Sequence, residues 1–293
     1  MDVRCNLIVD SSCDLPPAVV NRPGVELVSL SYLDTDGEHL DDLWQSESMH
    51  AFYDRMRGGS CPTTSRVSPA CMREAFERAA ANGLPTVCLC MSSSLSSTYE
   101  GACAAREDVI ATNKSADIRI VDTRLASTGQ AVLVYEVLRM RDEGFSADEI
   151  EQWANEARYS VQTYFMVDSL DALQRGGRIP KGVAVAGSML NVKPVLAFDL
   201  DGRLVIAGVA RGRKKGLQVL ADKYNKLVDR MRPSVFFMGH ADCEEDMLSL
   251  REMLSTDGSA TQVVSQPIGP VIGSHVGPGM VSLAFWGPDR REK

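Results

Sequence analysis

Residues 86–142 read TVCLCMSSSLSSTYEGACAAREDVIATNKSADIRIVDTRLASTGQAVLVYEVLRMRD. Thr86 to Met91 is a short, almost wholly apolar run that ends in hydroxyls, the pattern of a strand buried on both faces. Ser96 to Ala111 has helical composition, Ile118 to Asp122 is a second buried strand, and Ser127 to Asp142 a second helix. Strand, helix, strand, helix in this order predicts a parallel sheet covered by helices, an α/β fold.

The alternation extends toward the N-terminus. Cys5 to Asp10 and Val25 to Leu33 read as strands, and Ser46 to Met56 as a helix with Met49, Phe52, Tyr53 and Met56 on one face. After a turn-rich loop, Gly58 to Pro69, Ser68 caps a helix that has Pro69 at its first position and ends at Asn82-Gly83. Ser146, with Glu149 three residues on, forms a capping box for a helix to Tyr159. Beyond it the pattern changes. Thr163 to Asp168 and Lys193 to Asp199 read as strands, and Asp201-Gly202 turns the chain back into Arg203 to Val209, a hairpin. A helix at Gly212 to Met231, a strand at Ser234 to Gly239, a helix at Glu244 to Leu254, and strands at Thr261 to Gln266 and Met280 to Trp286 complete the chain. The expectation is two domains: a parallel-sheet α/β unit over 1–159 and a mixed-sheet α/β unit over 160–293, a division that suits 293 residues.

Composition narrows the function classes. With 44 % hydrophobic and 24 % charged residues the chain resembles an ordinary globular protein rather than a disordered one. The formal charge of −8 opposes a general nucleic-acid or anionic-membrane footprint. No apolar run approaches the ~20 residues of a membrane span, and the N-terminus has no secretory h-region, so a cytoplasmic location is expected. The eight Cys form no CxxC pair and read as reduced core thiols, with Cys13 and Cys61 placed in loops where reactivity is worth testing. No P-loop and no G-x-S-x-G elbow occurs.

Three polar loops flank apolar strands, where α/β proteins bind ligands: Asp10-Ser11-Ser12, Thr63-Thr64-Ser65, and Ser92 to Thr98. Hydroxyls there, with a helix start beyond, can hold an anion through neutral donors. One cap needs one hydroxyl, and six in seven positions from Ser92 to Thr98 exceed that need. A glycine-rich loop, Gly269 to Gly279, surrounds His275, one of four His, and reads as a ligand contact; no second His or Cys stands at zinc-ligand spacing. Two short basic segments, Arg175 to Arg178 and Arg211 to Lys215, read either as solvated helix starts or as docking and phosphate-facing patches, without the aromatics of a nucleic-acid surface. Ser93, His275 and Asp122 supply the residue types of a hydrolytic triad, with nothing in the sequence to bring them together.

Taken in order, IVDSSCDLP, TTSRVSP, SSSLSSTYEGA, VDTRLASTGQ, LQRGGRI, KPVLAFDLDGRLVIAGVARGRKK and IGSHVGPG resemble the DegV family over about residues 5 to 286. That resemblance implies a two-domain α/β protein with its ligand site between the domains, binding one long-chain fatty acid and needing no other cofactor. It implies a carrier without its own ATP site, which presents the acyl carboxylate to a separate ATP-binding fatty acid kinase subunit for acyl phosphate formation in phospholipid synthesis. The family's carboxylate contacts map onto Thr64, Ser65, Ser92, Ser93, Ser96 and His275, and its kinase-contact arginine onto Arg211. This chain departs from the family motifs at Arg66-Val67 and Ser97, which places an extra charge beside the head group. Two alternatives stay open: a substrate-binding subunit like that of dihydroxyacetone kinases, with His275 as the covalent residue, and a small Ser-dependent hydrolase.

Overall fold

The computed structural model describes residues 2–183, 191–231, 235–254 and 263–292. The chain enters through β1 (Asn6–Asp10), a single 3-10 turn, α1 (Pro17–Val20) and β2 (Val25–Val28). It then makes β3 (Ser31–Asp34), β4 (Gly37–Leu40), α2 (Met49–Arg57) and β5 (Thr63–Ser65). The predicted alternation follows as α3 (Pro69–Ala80), β6 (Thr86–Cys90), α4 (Thr98–Thr112), β7 (Ile118–Asp122), α5 (Ser127–Asp142) and α6 (Ala147–Ala157). The second half runs β8 (Val161–Met166), α7 (Asp171–Arg175), β9 (Val192–Phe198), β10 (Leu204–Arg211), α8 (Arg213–Leu227) and β11 (Phe236–His240). It closes with α9 (Glu244–Met253), β12 (Val263–Pro267), α10 (Pro270–Val276) and β13 (Val281–Trp286).

The fold is α/β. Strands β2-β1-β6-β7 form a parallel sheet, and β10-β9-β8-β13-β11-β12 form a mixed one in which only β11 and β12 run parallel. Local chemistry lies where the sequence puts it: Ser68 accepts the Cys71 N–H at 3.1 Å, and Ser146 with Glu149 closes a capping box. The Asp201-Gly202 hairpin forms because Gly202 takes φ 80° and the Asp199 carboxylate binds the N–H groups of Asp201 and Arg203 at 2.9 and 2.8 Å.

The structure corrects the reading at four places. Val25 to Leu33 is not one strand: the chain leaves the parallel sheet after Val28 and starts a separate antiparallel sheet, β4-β3-β5. Thr64 and Ser65 therefore sit on β5 rather than in a loop. His275 lies on α10, not in an open glycine turn. Cys13 is fully buried and its thiol is pushed well up by burial, so of the two loop cysteines only Cys61 is exposed. The predicted strand positions Ser234, Thr261 and Gln262 lie outside the described residues.

One hydrophobic core runs from the parallel sheet through α5 into the inner face of the six-stranded sheet, and a second lies between that sheet's outer face and α8 and α9. Helix α5 is buried nearly all round because it packs against both halves. Gly129 permits this contact: a Cβ there would lie 2.4 Å from the Thr163 hydroxyl on β8.

Candidate functional site

Where the halves meet, a cavity of about 180 Å³ opens between α10, the β6–α4 loop and the inner face of the six-stranded sheet. Met91, Leu95, Phe165, Phe198, Leu204, Ile272 and Val276 give it apolar walls. Polar side chains interrupt these walls, Ser127, Thr128, Thr163 and Ser282 on α5 and the six-stranded sheet and a second group around His275. Thr64 Oγ1 lies 2.7 Å from His275 Nε2, Arg178 Nε donates to the Leu95 carbonyl at 3.0 Å, and Arg66 reaches the Ser97 carbonyl at 3.4 Å on the rim.

His275 Nδ1 is buried with no hydrogen-bond partner among the described residues. The Nε2–H tautomer therefore suits the site, since it leaves a bare lone pair there instead of a stranded N–H. Burial, and then the nearby Arg178 charge, push the His275 pKa down to about 4, so the ring is neutral around pH 7. With the ring donating to Thr64, the threonine hydroxyl keeps its own proton to offer a ligand in the cavity. Gly176 makes room for the imidazole: a Cβ there would lie 2.3 Å from Nδ1.

Arg178 is the site residue that motif reading missed. It lines the cavity half-buried, its hydrogen bonds go to the carbonyls of Leu95 and Gly176, and no carboxylate among the described residues pairs with it. Burial lowers its pKa from the ordinary arginine value. A guanidinium held by carbonyls beside an apolar cavity has the charge and the N–H donors to receive an anionic group. The signal in the sequence was a second arginine two glycines after Arg175, which alone does not separate a surface patch from a site.

The sequence-derived residues divide into two sets. Thr64, Ser65, Ser96 and His275 line the cavity together. Ser92 and Ser93 are not among its walls: Ser92 donates to the Gly202 carbonyl at 2.9 Å, and Ser93 donates to Asp122 at 2.6 Å. Ser94 likewise reaches the Asp201 carbonyl at 2.8 Å. Two of the six hydroxyls of this loop, Ser92 and Ser94, thus tie the first half to the β9–β10 hairpin of the second, while Ser93 bonds within the first half and Ser96 lies 2.9 Å from the Thr98 hydroxyl. Asp10-Ser11-Ser12 is also framework, with the Asp10 carboxyl accepting the Met91 N–H at 2.7 Å and Ser11 accepting the Leu30 N–H at 3.1 Å. The triad does not assemble: Ser93 bonds Asp122, while His275 bonds Thr64.

The two basic segments also separate. Arg213 is structural, bound to Asp168, Asp246 and the Gly279 carbonyl. Arg211 is exposed, with no side-chain partner among the described residues. A bulge between Ile206 and Gly208 decides its direction. Gly208 faces Val219 of α8, so Arg211, three residues on, lies on the opposite side of the sheet, the side of cavity-lining Leu204.

A family profile described as "Uncharacterised protein, DegV family" matches residues 4–287. A DegV domain-containing protein of Clostridium perfringens is 37 % identical over 281 residues, covering 96 % of this chain and 97 % of that one. Among solved structures, a DegV family protein from Thermus thermophilus, described for its fatty acid binding, superposes with a TM-score of 0.86 at 28 % identity, over 97 % of this chain and 100 % of that one. A stearic acid-binding protein from Eubacterium ventriosum superposes with a TM-score of 0.81 at 26 % identity, over 96 % of this chain and 97 % of that one. The chain belongs to the DegV family.

Proposed function

We propose that this protein binds one long-chain fatty acid and presents its carboxylate to a separate ATP-binding kinase subunit for acyl phosphate formation, with no chemistry of its own. The observation that carries the reading is the cavity's lining: apolar walls beside Thr64, Ser65, Ser96, His275 and an Arg178 that no carboxylate among the described residues pairs with. The fatty acid binding described for the Thermus and Eubacterium relatives supports it.

In this reading the tail supplies affinity. About fourteen methylenes at ~0.8 kcal/mol each bury roughly 11 kcal/mol gross. The head group then fixes direction: Thr64 and Ser96 donate hydroxyl protons, Arg178 supplies charge, and neutral His275 orients Thr64. Ser92 and Ser93 enter as the anchors of the loop that carries Ser96. Arg211, on the cavity side of β10 but away from the cavity walls, serves the kinase contact.

Organic extraction of the purified protein followed by mass spectrometry tests the ligand. A bound acid of fourteen to eighteen carbons is expected; fewer than about a tenth of molecules occupied, together with no uptake of added palmitate or oleate, rejects the reading. Thr64→Val should weaken palmitate binding by about 1 to 3 kcal/mol while the fold stays intact. Arg211→Ala should retain the lipid yet stop acyl phosphate formation with kinase and ATP, and loss of lipid instead would move Arg211 to the head-group site.

A further inference from the structure

Two carboxyls that the reading above does not use converge beneath the helix that carries His275. Asp14 is 3 % exposed and Asp41 is wholly buried. Asp14 follows the 3-10 turn in a left-handed conformation, φ 51°. From there Oδ1 accepts the Gly269 N–H at 2.9 Å and Oδ2 accepts the Ser127 hydroxyl at 2.5 Å. Ser127 lines the cavity, and Gly269 is the N-cap of α10, with no side chain to cap its own helix. Asp41 accepts the Leu43 N–H at 3.2 Å and approaches the same spot: a Cβ at Gly269 would lie 2.5 Å from Asp14 Oδ1 and 3.2 Å from Asp41 Oδ2.

We propose that Asp14 and Asp41 are positioning residues of the head-group site, seating the N-terminal end of α10 so that His275 at its other end meets Thr64 and the ligand. The inference rests on the fatty-acid reading. Helix α10 has seven residues, about 10 Å of rigid backbone, and a shift at Gly269 is carried to His275. The helix has little freedom to absorb it, because Tyr53 Oη donates to the Ile268 carbonyl at 2.8 Å and packs where a Gly273 side chain would lie. Asp10 and Asp42 add like charge to the pair, and the charge of the pair acts in turn on Cys13 and Tyr53, all of them acids. With no cation among them, burial raises Asp41 to about 7 and Asp14 well above the carboxylate range, with Asp41's charge adding to the rise at Asp14. A proton kept on the pair lets the two carboxyls share this small space without mutual repulsion.

The test separates head-group positioning from a general effect on the pocket by measuring palmitate and hexadecanol binding side by side, since both carry the same tail. In Asp14→Ala the palmitate-to-hexadecanol affinity ratio should fall about tenfold, and Asp14→Asn, which keeps the acceptor for the Gly269 N–H, should restore most of it. Gly269→Ala, which drives a methyl into both carboxyls, should reproduce the loss if Asp14→Ala folds poorly. An unchanged ratio, or equal loss for both ligands, overturns the proposal. Failure of the unmodified protein to bind palmitate overturns the fatty-acid reading itself, a result distinct from either.

Discussion

His275 shows how one side chain's surroundings set its chemistry. An imidazole that titrates near 6.5 in an exposed setting stays neutral in this fold down to about 4. Between those values the unfolded chain binds a proton at His275 that the folded chain refuses, so the His275 contribution to stability falls as pH drops from about 6.5 to 4 and is flat above that window, opposite in sign to the contribution of the buried Asp14 and Asp41 carboxyls. His275→Gln, which keeps a side-chain amide near Thr64, should flatten this slope, recovering at most about 3 kcal/mol at pH 4 and little at pH 7. Urea midpoints of both proteins across that range check it, and parallel pH profiles would show that the acid sensitivity arises elsewhere. Arg178 shows the complementary effect, because a cation whose hydrogen bonds all go to carbonyls keeps its charge available to a carboxylate ligand.

Among the elements, α5 does the most to place the site. Its first turn supplies Ser127 and Thr128 to the cavity, its middle is buried, and its contact with β8 depends on the missing side chain of Gly129. Gly129→Ala would raise helix propensity by about 1 kcal/mol, but the new methyl would press on the Thr163 hydroxyl and Cβ, and overpacking of this kind costs about 1 to 3 kcal/mol. The expected outcome is a net loss of up to about 2 kcal/mol by chemical denaturation, together with weaker fatty acid binding as α5 lifts from the sheet. A gain in stability would show that β8 yields freely. The three-stranded sheet makes the opposite use of a small element: β5 puts Thr64 on the inner side, against His275, and leaves its neighbours Thr63 and Ser65 exposed.

At the scale of the whole molecule the two halves share one core, and polar ties reinforce it. Asp242 in the second half accepts from His50 at 3.0 Å and pairs with Arg57, both on α2, while Arg124 donates to the Leu200 carbonyl at 2.8 Å. The boundary at residues 159 and 160 is therefore proposed as a division of topology rather than of stability. A fragment of residues 1–159 would expose the face of α5 that meets β8, β11 and β13, and it should lack a cooperative thermal transition. The whole chain should unfold in one step, with tryptophan fluorescence and far-UV circular dichroism coinciding, and at a hundredfold excess of fatty acid over Kd it should gain about 2.7 kcal/mol. A cooperative melt of the fragment would refute the shared-core account. No helix among the described residues is long and apolar enough to cross a membrane.

The sequence by itself determined the elements whose causes are local. Apolar runs of strand length, the Ser146 and Ser68 caps, and the Asp201-Gly202 turn depend on neighbours a few residues away, and apart from Val25 to Leu33, which splits between two sheets, they appear within a residue or two of where the pattern puts them. His275 was singled out by its glycine-rich loop as well as by the family motif, and Thr64, Ser65 and Ser96 by the ordered motifs, since spacing alone offered polar loops; the structure places all four on the cavity lining. Tertiary structure decided which hydroxyls face the cavity and which bind a distant carbonyl, since Ser92 meets Gly202 and Thr64 meets His275 across more than a hundred residues. It also decided that Arg178 points inward, that a bulge turns Arg211 to the cavity side, and that three short strands between Ser31 and Ser65 pair with one another. These outcomes depend on burial and on partners from other elements, which no local window of sequence contains.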